Sequence, residues 1–371
     1  MIPSPCFILS EDKLRTNLNL INRVECDSGC HIILALKGFA MWSAFPIVKQ
    51  YLSGCSASSY NEARLARELF SGHVHLYAPA YTDLEFPDLV TLSDRISFNS
   101  ISQWQRFSEQ ALAAGKSCGL RVNPEINEVE TALYNPSGPQ SRLGINTREL
   151  SSLPAGVEGL HVHALCESSA ESSQRLIEAL EEKFGHHFTA LKWLNLGGGH
   201  LMTRENYDVE LLINALSGLR QRYPWLDITL EPGSAIAWQT GHLISTVLDV
   251  ISRGGIDIAM LDTSATAHMP DVLEMPYRPD VRGAASPGKL RHTYRLGGLT
   301  CLAGDIIGDY SFSTPLNIGD KVIFEDMIHY TMVKTTLFNG VQHPAIAIEH
   351  SNHEIEVIRE FGYDDYLNRL S

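Results

Sequence analysis

Short apolar runs alternate with amphipathic helical segments from residue 10 to about residue 240 of this chain. The runs span residues 31–36, 54–58, 73–78, 95–99, 119–123, 159–164, 193–198 and 228–233. Segments between them, such as 102–114 and 208–223, carry apolar residues at three- and four-residue spacing with charges opposite, a pattern typical of helices that pack on a sheet. Eight such strands followed by helices predict an α/β fold, a (β/α)8 TIM barrel over residues 10–241.

The pattern changes after about residue 242. Segments 242–253, 256–261, 291–296 and 321–325 are rich in β-forming residues, and glycine and proline turns separate them with little helical periodicity. A chain of 371 residues is also long for a single core. We therefore predict a C-terminal all-β domain over residues 242–371, with residues 1–9 joining it through a first strand at 6–9.

Composition excludes several classes of protein. The chain is 44% hydrophobic and 19% charged, with a net charge of −14, which disfavours nucleic acid and favours cationic small molecules. No apolar stretch reaches the length of a membrane span, and the first ten residues lack the basic start of a secretory signal. Seven scattered cysteines are typical of reduced thiols. We expect a cytoplasmic protein that binds neither membrane nor nucleic acid.

One cluster has metal-ligand character. Cys26, Cys30 and His31 lie close together in the sequence, but no second pair of ligands follows them. We therefore predict no metal site and interpret these cysteines as ordinary thiols.

The ends of three predicted strands carry groups that suit pyridoxal phosphate. Lys37 follows the run 31–36, where an amine can be desolvated and become nucleophilic. The glycines 197–199 suit a phosphate, and Glu231 suits a ring nitrogen. Because strand ends meet at one face of a barrel, these groups are expected to share a site.

Several sequence motifs of this chain resemble those of the alanine racemase-type (fold type III) pyridoxal phosphate-dependent decarboxylases. The shared features are a strand-end lysine, His-x-His (161–163), GGG (197–199), EPG (231–233) and a later cysteine in GLTC (298–301). ALKGF (35–39), HVHALCE (161–167), TCLAGD (300–305) and FEDMIHY (324–330) resemble the carboxynorspermidine/carboxyspermidine decarboxylase branch of that family. The resemblance implies a pyridoxal 5′-phosphate cofactor, a barrel followed by a β domain, and a homodimer with shared active sites.

The resemblance also implies residue roles. Lys37 would form the Schiff base, His163 would stack on the cofactor ring, and Glu231 would keep the pyridine nitrogen protonated, where racemases of this fold carry an arginine. The other cofactor-binding positions implied by the motifs are Arg121, Gly198, Gly199, Gly233 and Tyr330, with Gly197 and Glu62 in support. We interpret His161 as a core histidine with satisfied hydrogen bonds.

Further roles concern the substrate. Cys301 would reach the active site of the partner subunit and, with Lys37 as the alternative donor, return a proton after CO2 leaves. The positions implied to contact substrate are Asp262, His268 and Asp305.

Two departures from the family pattern bear on the substrate and the cofactor. Ser234 follows Gly233 where related enzymes carry arginine, and Leu302 follows Cys301 where ornithine and diaminopimelate enzymes carry an acid. Leu302 removes the charge partner of a short diamino acid. The predicted reaction is decarboxylation of carboxynorspermidine, and of carboxyspermidine, in polyamine biosynthesis. The alternatives are a decarboxylase of diaminopimelate or another basic amino acid, and a non-catalytic pyridoxal phosphate-binding protein.

Overall fold

The computed structural model describes residues 2–129, 131–275 and 277–371. The chain divides into two compact units. One is Thr16–Ile236, and the other combines Met1–Arg15 with Ala237–Ser371. Across the described ranges, every helix is too short or too polar to span a bilayer.

The strands in chain order are β1 (Cys6–Ser10), β2 (His31–Ile32), β3 (Leu34–Ala35), β4 (Gly54–Ala57), β5 (His73–Tyr77), β6 (Arg95–Phe98), β7 (Ser117–Val122), β8 (Val157–Val162), β9 (Trp193–Asn195), β10 (Asp227–Leu230), β11 (Gly241–Arg253), β12 (Ile256–Leu261), β13 (Ala284–Ala285), β14 (His292–Gly297), β15 (Ile306–Phe312), β16 (Lys321–Glu325), β17 (Ala345–Glu349) and β18 (Ile355–Arg359). The helices are α1 (Glu11–Ser28), α2 (Phe45–Val48), α3 (Tyr60–Leu65), α4 (Phe86–Leu92), α5 (Ile101–Ala113), α6 (Ala170–Phe184), α7 (Val209–Arg222), α8 (Ser234–Ala237), α9 (Ala265–His268), α10 (Asp271–Glu274) and α11 (Tyr363–Leu370).

The unit Thr16–Ile236 is a parallel barrel. Its sheet has the order β2-β10-β9-β8-β7-β6-β5-β4-β3. The short strands β2 and β3 are two halves of the first predicted strand, and they pair with β10 and β4 respectively. Between them, the Ile33 N–H donates to the Leu230 carbonyl at 2.9 Å. The split strand therefore joins both ends of the sheet, and the predicted (β/α)8 barrel is confirmed.

Side chains at the starts of the barrel helices fix where those helices begin. The hydroxyls of Ser59, Ser100 and Ser169 and the carboxylate of Asp208 each accept a backbone N–H from the first turn of α3, α5, α6 and α7. Each such cap contributes about 1 kcal/mol. In α5, Trp104, Phe107 and Ala111 recur at helical spacing and are buried, which is the amphipathic pattern that predicts this helix.

A buried tryptophan packs against two glycines of the neighbouring barrel strands. Trp193, on β9, is 1% exposed. A Cβ on Gly159 would lie 1.9 Å from the indole, and one on Gly119 would lie 2.3 Å from it, so β7 and β8 need glycine at these positions. Truncating a buried side chain of this size typically costs about 3–5 kcal/mol.

The second unit is built on a mixed sheet. Its order is β13-β15-β14-β12-β11-β1-β17-β18, with β16 also paired to β11. The β1 strand pairs antiparallel with β11 and parallel with β17, so both ends of the chain contribute to one sheet. The unit is not purely β, because α9, α10 and α11 interrupt or follow its strands.

Candidate active site

The C-terminal ends of the parallel barrel strands form one rim, and the predicted barrel residues lie on it. Lys37 follows β3, His163 follows β8, and Glu231 follows β10. The glycines 197–199 come just after β9, and Arg121 lies near the end of β7. The fold thus brings together side chains that are far apart in the sequence.

Lys37 and His163 face each other at this rim. The Nζ of Lys37 lies 3.4 Å from Nε2 of His163. The Lys37 side chain remains accessible to solvent, yet enough protein surrounds its amine that desolvation, together with the charge of Arg121, lowers its pKa. Burial also lowers the pKa of His163 well below its usual value. The neutral, nucleophilic form of Lys37 is therefore more accessible than that of a fully solvated lysine.

Glu231 is a buried carboxylate held by neighbouring side chains. Its Oε1 accepts a hydrogen bond from Nδ2 of Asn195 at 2.6 Å and lies 2.8 Å from Nδ1 of His75. Its Oε2 lies 3.6 Å from Nε2 of His161. Burial opposes ionisation of Glu231, but the two histidines and the hydrogen bonds from His75 and Asn195 outweigh it and lower the pKa to about 2.

The three glycines after β9 allow a tight backbone turn beside this carboxylate. Gly197 and Gly199 have φ of +69° and +91°, and a Cβ on Gly198 would lie 2.4 Å from the Glu231 carbonyl oxygen. The N–H groups of Gly197 and Gly198 donate to Asn195 Oδ1 at 2.8 Å and to His163 Nδ1 at 2.9 Å. Two of the three predicted phosphate donors are thus engaged within the protein, and the Gly199 N–H has no partner among the described residues.

Other backbone and side-chain contacts surround the same rim. Gly233 approaches the loop after Lys37 so closely that a Cβ on Gly38 would lie 2.7 Å from its Cα. Arg121 is buried, and its Nη2 donates to the His163 carbonyl at 3.1 Å. Its guanidinium carbon lies 4.5 Å from the centre of the Tyr77 ring, a cation–π contact that holds the charge in place. The Glu62 carboxylate accepts the Ser58 N–H at 2.6 Å, although burial raises its pKa.

Five further predicted residues belong to the second unit. Cys301 is exposed and lines a cavity of about 470 Å³ together with Asp262 and the segment 339–342. Asp262 Oδ1 accepts from the Ser245 hydroxyl at 2.7 Å and from the Thr246 N–H at 2.8 Å, and no described residue hydrogen-bonds its Oδ2.

Asp305 and His268, the other two predicted substrate contacts, are buried and hydrogen-bonded within the second unit, and their contact with substrate stays a prediction. Asp305 is 3% exposed, and its oxygens accept hydrogen bonds from Ser264, Ala265, Thr266 and Thr300. His268 is fully buried, with its ring nitrogens 3.0 Å from Thr263 Oγ1 and 2.9 Å from the Gln342 carbonyl. Both side chains hold loops together, and their polar atoms have partners within the protein. Tyr330 has φ of +45°, and its predicted contact with phosphate stays a prediction.

Sequence reasoning missed two partners of Glu231 and misjudged a third. His75 and Asn195 lie inside predicted strands, and nothing in the local pattern distinguishes Asn195 from other interior residues. His161 is buried as expected, but neither ring nitrogen has a hydrogen-bond partner among the described residues. The signal available for His75 was its place in the alternating stretch His73-Val74-His75, which puts two histidines on the same face of a strand.

Comparisons with known proteins agree with this geometry. Residues 8–328 match the family model described as "Pyridoxal-dependent decarboxylase, C-terminal sheet domain". The chain is 50% identical over 370 residues to carboxyaminopropylagmatine decarboxylase of Synechocystis sp., covering 100% of this chain and 96% of the relative. It is 42% identical to carboxynorspermidine/carboxyspermidine decarboxylase of Campylobacter jejuni, covering 99% of this chain and 98% of the relative.

The chain belongs to the pyridoxal-dependent decarboxylases. The crystal structure of the Campylobacter jejuni carboxynorspermidine decarboxylase complexed with norspermidine superposes with a TM-score of 0.92 at 42% identity, covering 99% of this chain and 100% of that one. The predicted enzyme class, the cofactor pyridoxal phosphate and the place in polyamine biosynthesis are therefore confirmed. The alternative of a non-catalytic binding protein is set aside.

The residues at the rim of the barrel fit the cofactor of a pyridoxal-dependent decarboxylase. The pKa of the Lys37 amine is lowered, which suits a nucleophile for an aldehyde. The three glycines let the backbone turn tightly after β9, with positive φ at Gly197 and Gly199, and the Gly199 N–H has no partner among the described residues, which suits a phosphate. Glu231 is ionised and its Oε2 accepts no hydrogen bond from a described residue, which suits a protonated ring nitrogen.

Proposed function

We propose that this decarboxylase acts on carboxynorspermidine, and on carboxyspermidine, to give norspermidine and spermidine. The observation that carries the proposal is the cavity of about 470 Å³ in which the acid Asp262 and the thiol Cys301 lie together. A carboxylate can bind the ammonium group of a polyamine, and a nearby thiol can supply a proton. The relative whose name includes both substrates is 42% identical over nearly the full chain.

Each rim residue then has a role. Bound pyridoxal phosphate supplies a ring that accepts the electron pair left when CO2 departs. Lys37 would hold the cofactor through its Nζ and leave when the substrate amine replaces it. Glu231 would hold a proton on the ring nitrogen, and Arg121 would fix the segment of His163 beside the ring. Gly199 and Gly233, with Gly198 and Tyr330, would face the phosphate. Cys301 would deliver the final proton from its Sγ.

A second candidate substrate has its own observation in its favour. The 50% identical relative is named for carboxyaminopropylagmatine, which ends in a guanidinium group. A guanidinium binds best to a carboxylate with two oxygens available. Because Asp262 Oδ1 already accepts two hydrogen bonds, a single contact through Oδ2 suits an ammonium group better. This geometry favours the carboxylated triamines.

A substrate panel tests this choice. We expect kcat/KM for carboxynorspermidine, measured as CO2 release, to exceed that for diaminopimelate on the order of 10²-fold or more, because a short diamino acid leaves Asp262 unpaired. Asp262→Asn should lower kcat/KM for the triamine and leave the poor rate with diaminopimelate nearly unchanged. A faster rate with carboxyaminopropylagmatine would favour the second candidate, and a faster rate with diaminopimelate would overturn both.

We also propose a homodimer in which Lys37 of one chain and Cys301 of the other complete each site. The sequence distance between them and the family pattern support this arrangement. Lys37→Ala and Cys301→Ala proteins, each inactive alone, should regain activity when they are unfolded and refolded together. Random pairing makes about half the dimers mixed, each with one intact site, so roughly a quarter of wild-type activity is expected. No recovery in confirmed mixed dimers would mean that each chain builds its own site.

We place the protein in the cytoplasm. All seven cysteines are described, and every one is a free thiol. Cys301 is exposed, and a thiol that must give up a proton depends on a reducing compartment to stay unpaired.

A further inference from the structure

A chain of hydrogen bonds inside the barrel ends on Glu231. His75 lies on β5, and its Nδ1 is 2.8 Å from Glu231 Oε1. The other ring nitrogen, Nε2, is 2.7 Å from the hydroxyl of Ser97 on the neighbouring strand β6. His75 is 1% exposed and Ser97 is 0% exposed. In such a dry environment, hydrogen bonds to a charged group are strong, and an unpaired carboxylate takes up a proton.

The orientation of Asn195 is fixed, and it presents its amide nitrogen to the same oxygen. Asn195 Oδ1 accepts the Gly197 N–H at 2.8 Å, so Nδ2 must face Glu231, where it donates to Oε1 at 2.6 Å. That nitrogen also lies 2.5 Å from His75 Nδ1. Both side chains therefore converge on Oε1, while Oε2 accepts no hydrogen bond from a described residue and lies 3.6 Å from His161 Nε2. His161 stays neutral, because burial lowers its pKa well below the usual value.

The proton positions follow from this arrangement. Two groups face His75 Nδ1, namely the Glu231 carboxylate oxygen at 2.8 Å and the Asn195 amide nitrogen at 2.5 Å, which could donate to an unprotonated Nδ1. A lone pair on Nδ1 would be repelled by the full negative charge of the carboxylate, and because that charge outweighs the amide dipole, we infer a proton on Nδ1 that is donated to Oε1. Nε2 then needs a donor, and the Ser97 hydroxyl has no other hydrogen-bond partner among the described residues. Ser97 thus fixes the ring tautomer, as outer partners of functional histidines do.

We propose that His75, with its tautomer fixed by Ser97, is a positioning residue that keeps Glu231 ionised and leaves Oε2 for the ring nitrogen of the cofactor. The inference rests on the proposed role of Glu231. Neither His75 nor Ser97 need touch the cofactor or the substrate. Removing His75 should let Glu231 take up a proton, and the cofactor ring should then lose its own.

Ring protonation can be measured without any substrate. Apoenzyme loaded with pyridoxal phosphate labelled with ¹⁵N in the ring should show the ring nitrogen at the pyridinium position in the wild type. Glu231→Gln and His75→Leu should both move it toward the neutral pyridine position. His75→Asn should stay near the wild type, because an asparagine amide can donate from the position of Nδ1. The matched control is His73→Asn, two residues earlier on β5, whose nearest acid is Asp94 at 3.7 Å; it should change nothing.

Cofactor selectivity gives an independent readout. The wild type should bind pyridoxal phosphate more tightly than 1-deazapyridoxal phosphate, which lacks the ring nitrogen, by at least about tenfold. His75→Leu should lose most of this preference. His75→Leu could keep the wild-type ¹⁵N signal and the wild-type ratio of affinities for the two cofactors while Glu231→Gln changes both. That result would overturn the proposed role of His75 and leave the role of Glu231 standing. No change in Glu231→Gln would instead overturn the proposed role of Glu231.

The milder variant Ser97→Ala covers the case in which His75→Leu does not fold. It should move the ¹⁵N signal part of the way toward the neutral position, and an unchanged signal would overturn the tautomer argument. If His75→Asn shifts as far as His75→Leu, the donor at Nδ1 is not what matters, and the proposal fails.

Discussion

Lys37→Ala is expected to lower kcat on the order of 10³-fold or more, because the enzyme loses the amine that holds the cofactor and exchanges with the substrate. The amine is suited to this task by its surroundings. Desolvation and the charge of Arg121 lower its pKa, and His163 Nε2 lies 3.4 Å away. Steady-state CO2 release on saturating carboxynorspermidine measures the loss.

The matched control is Lys49→Ala, which removes an exposed lysine beyond α2 and should leave kcat unchanged. Borohydride reduction of the wild-type holoenzyme, followed by peptide mass mapping, should find the pyridoxyl mass on Lys37. A map that puts this mass on another lysine would contradict the whole assignment of the rim.

Glu231→Gln is expected to lower kcat on the order of 10²-fold while the protein stays folded, because a neutral amide no longer favours a protonated ring nitrogen. The pKa of Glu231 is held at about 2, so the carboxylate is ionised above that pH and loses its charge only on strong acidification. The ratio of wild-type to variant kcat should therefore stay constant between about pH 5 and 9.

The control for this variant is Glu205→Gln, an exposed position outside the barrel strands. Circular dichroism and cofactor content should match the wild type in both proteins. An unchanged kcat in Glu231→Gln would show that the charge on the ring nitrogen does not limit the reaction, and a ratio that varies with pH would show that Glu231 titrates in this range.

The order of elements could be predicted from the sequence because burial produces a local pattern. A strand covered on both faces is apolar along its length, and the helix after it is apolar along one side only. The runs at 73–78 and 95–99 became β5 and β6 for this reason. Lys37 and Glu231 could be assigned to one rim by the same logic, since parallel strands of a barrel end at the same face.

Asp305 is an example of a residue whose surroundings could not be predicted from the local sequence. Its position four residues after Cys301 gave no sign that Ser264, Ala265 and Thr266 would surround its carboxylate. The motif places an acid near the thiol, but only the fold decides whether that acid faces a ligand or the loops beside it.

The sequence by itself determined the barrel, because hydrophobic periodicity is written locally along the chain. The residues at the strand ends suggested the cofactor chemistry, and the resemblance of the motifs to known decarboxylases indicated the family. Only the tertiary structure decided which polar groups are satisfied. His75, Ser97 and Asn195 come from three different strands and meet around Glu231, and a hydrogen bond depends on a few tenths of an ångström and on direction. Such distances arise when the barrel closes, and no pattern within one segment of the chain encodes them.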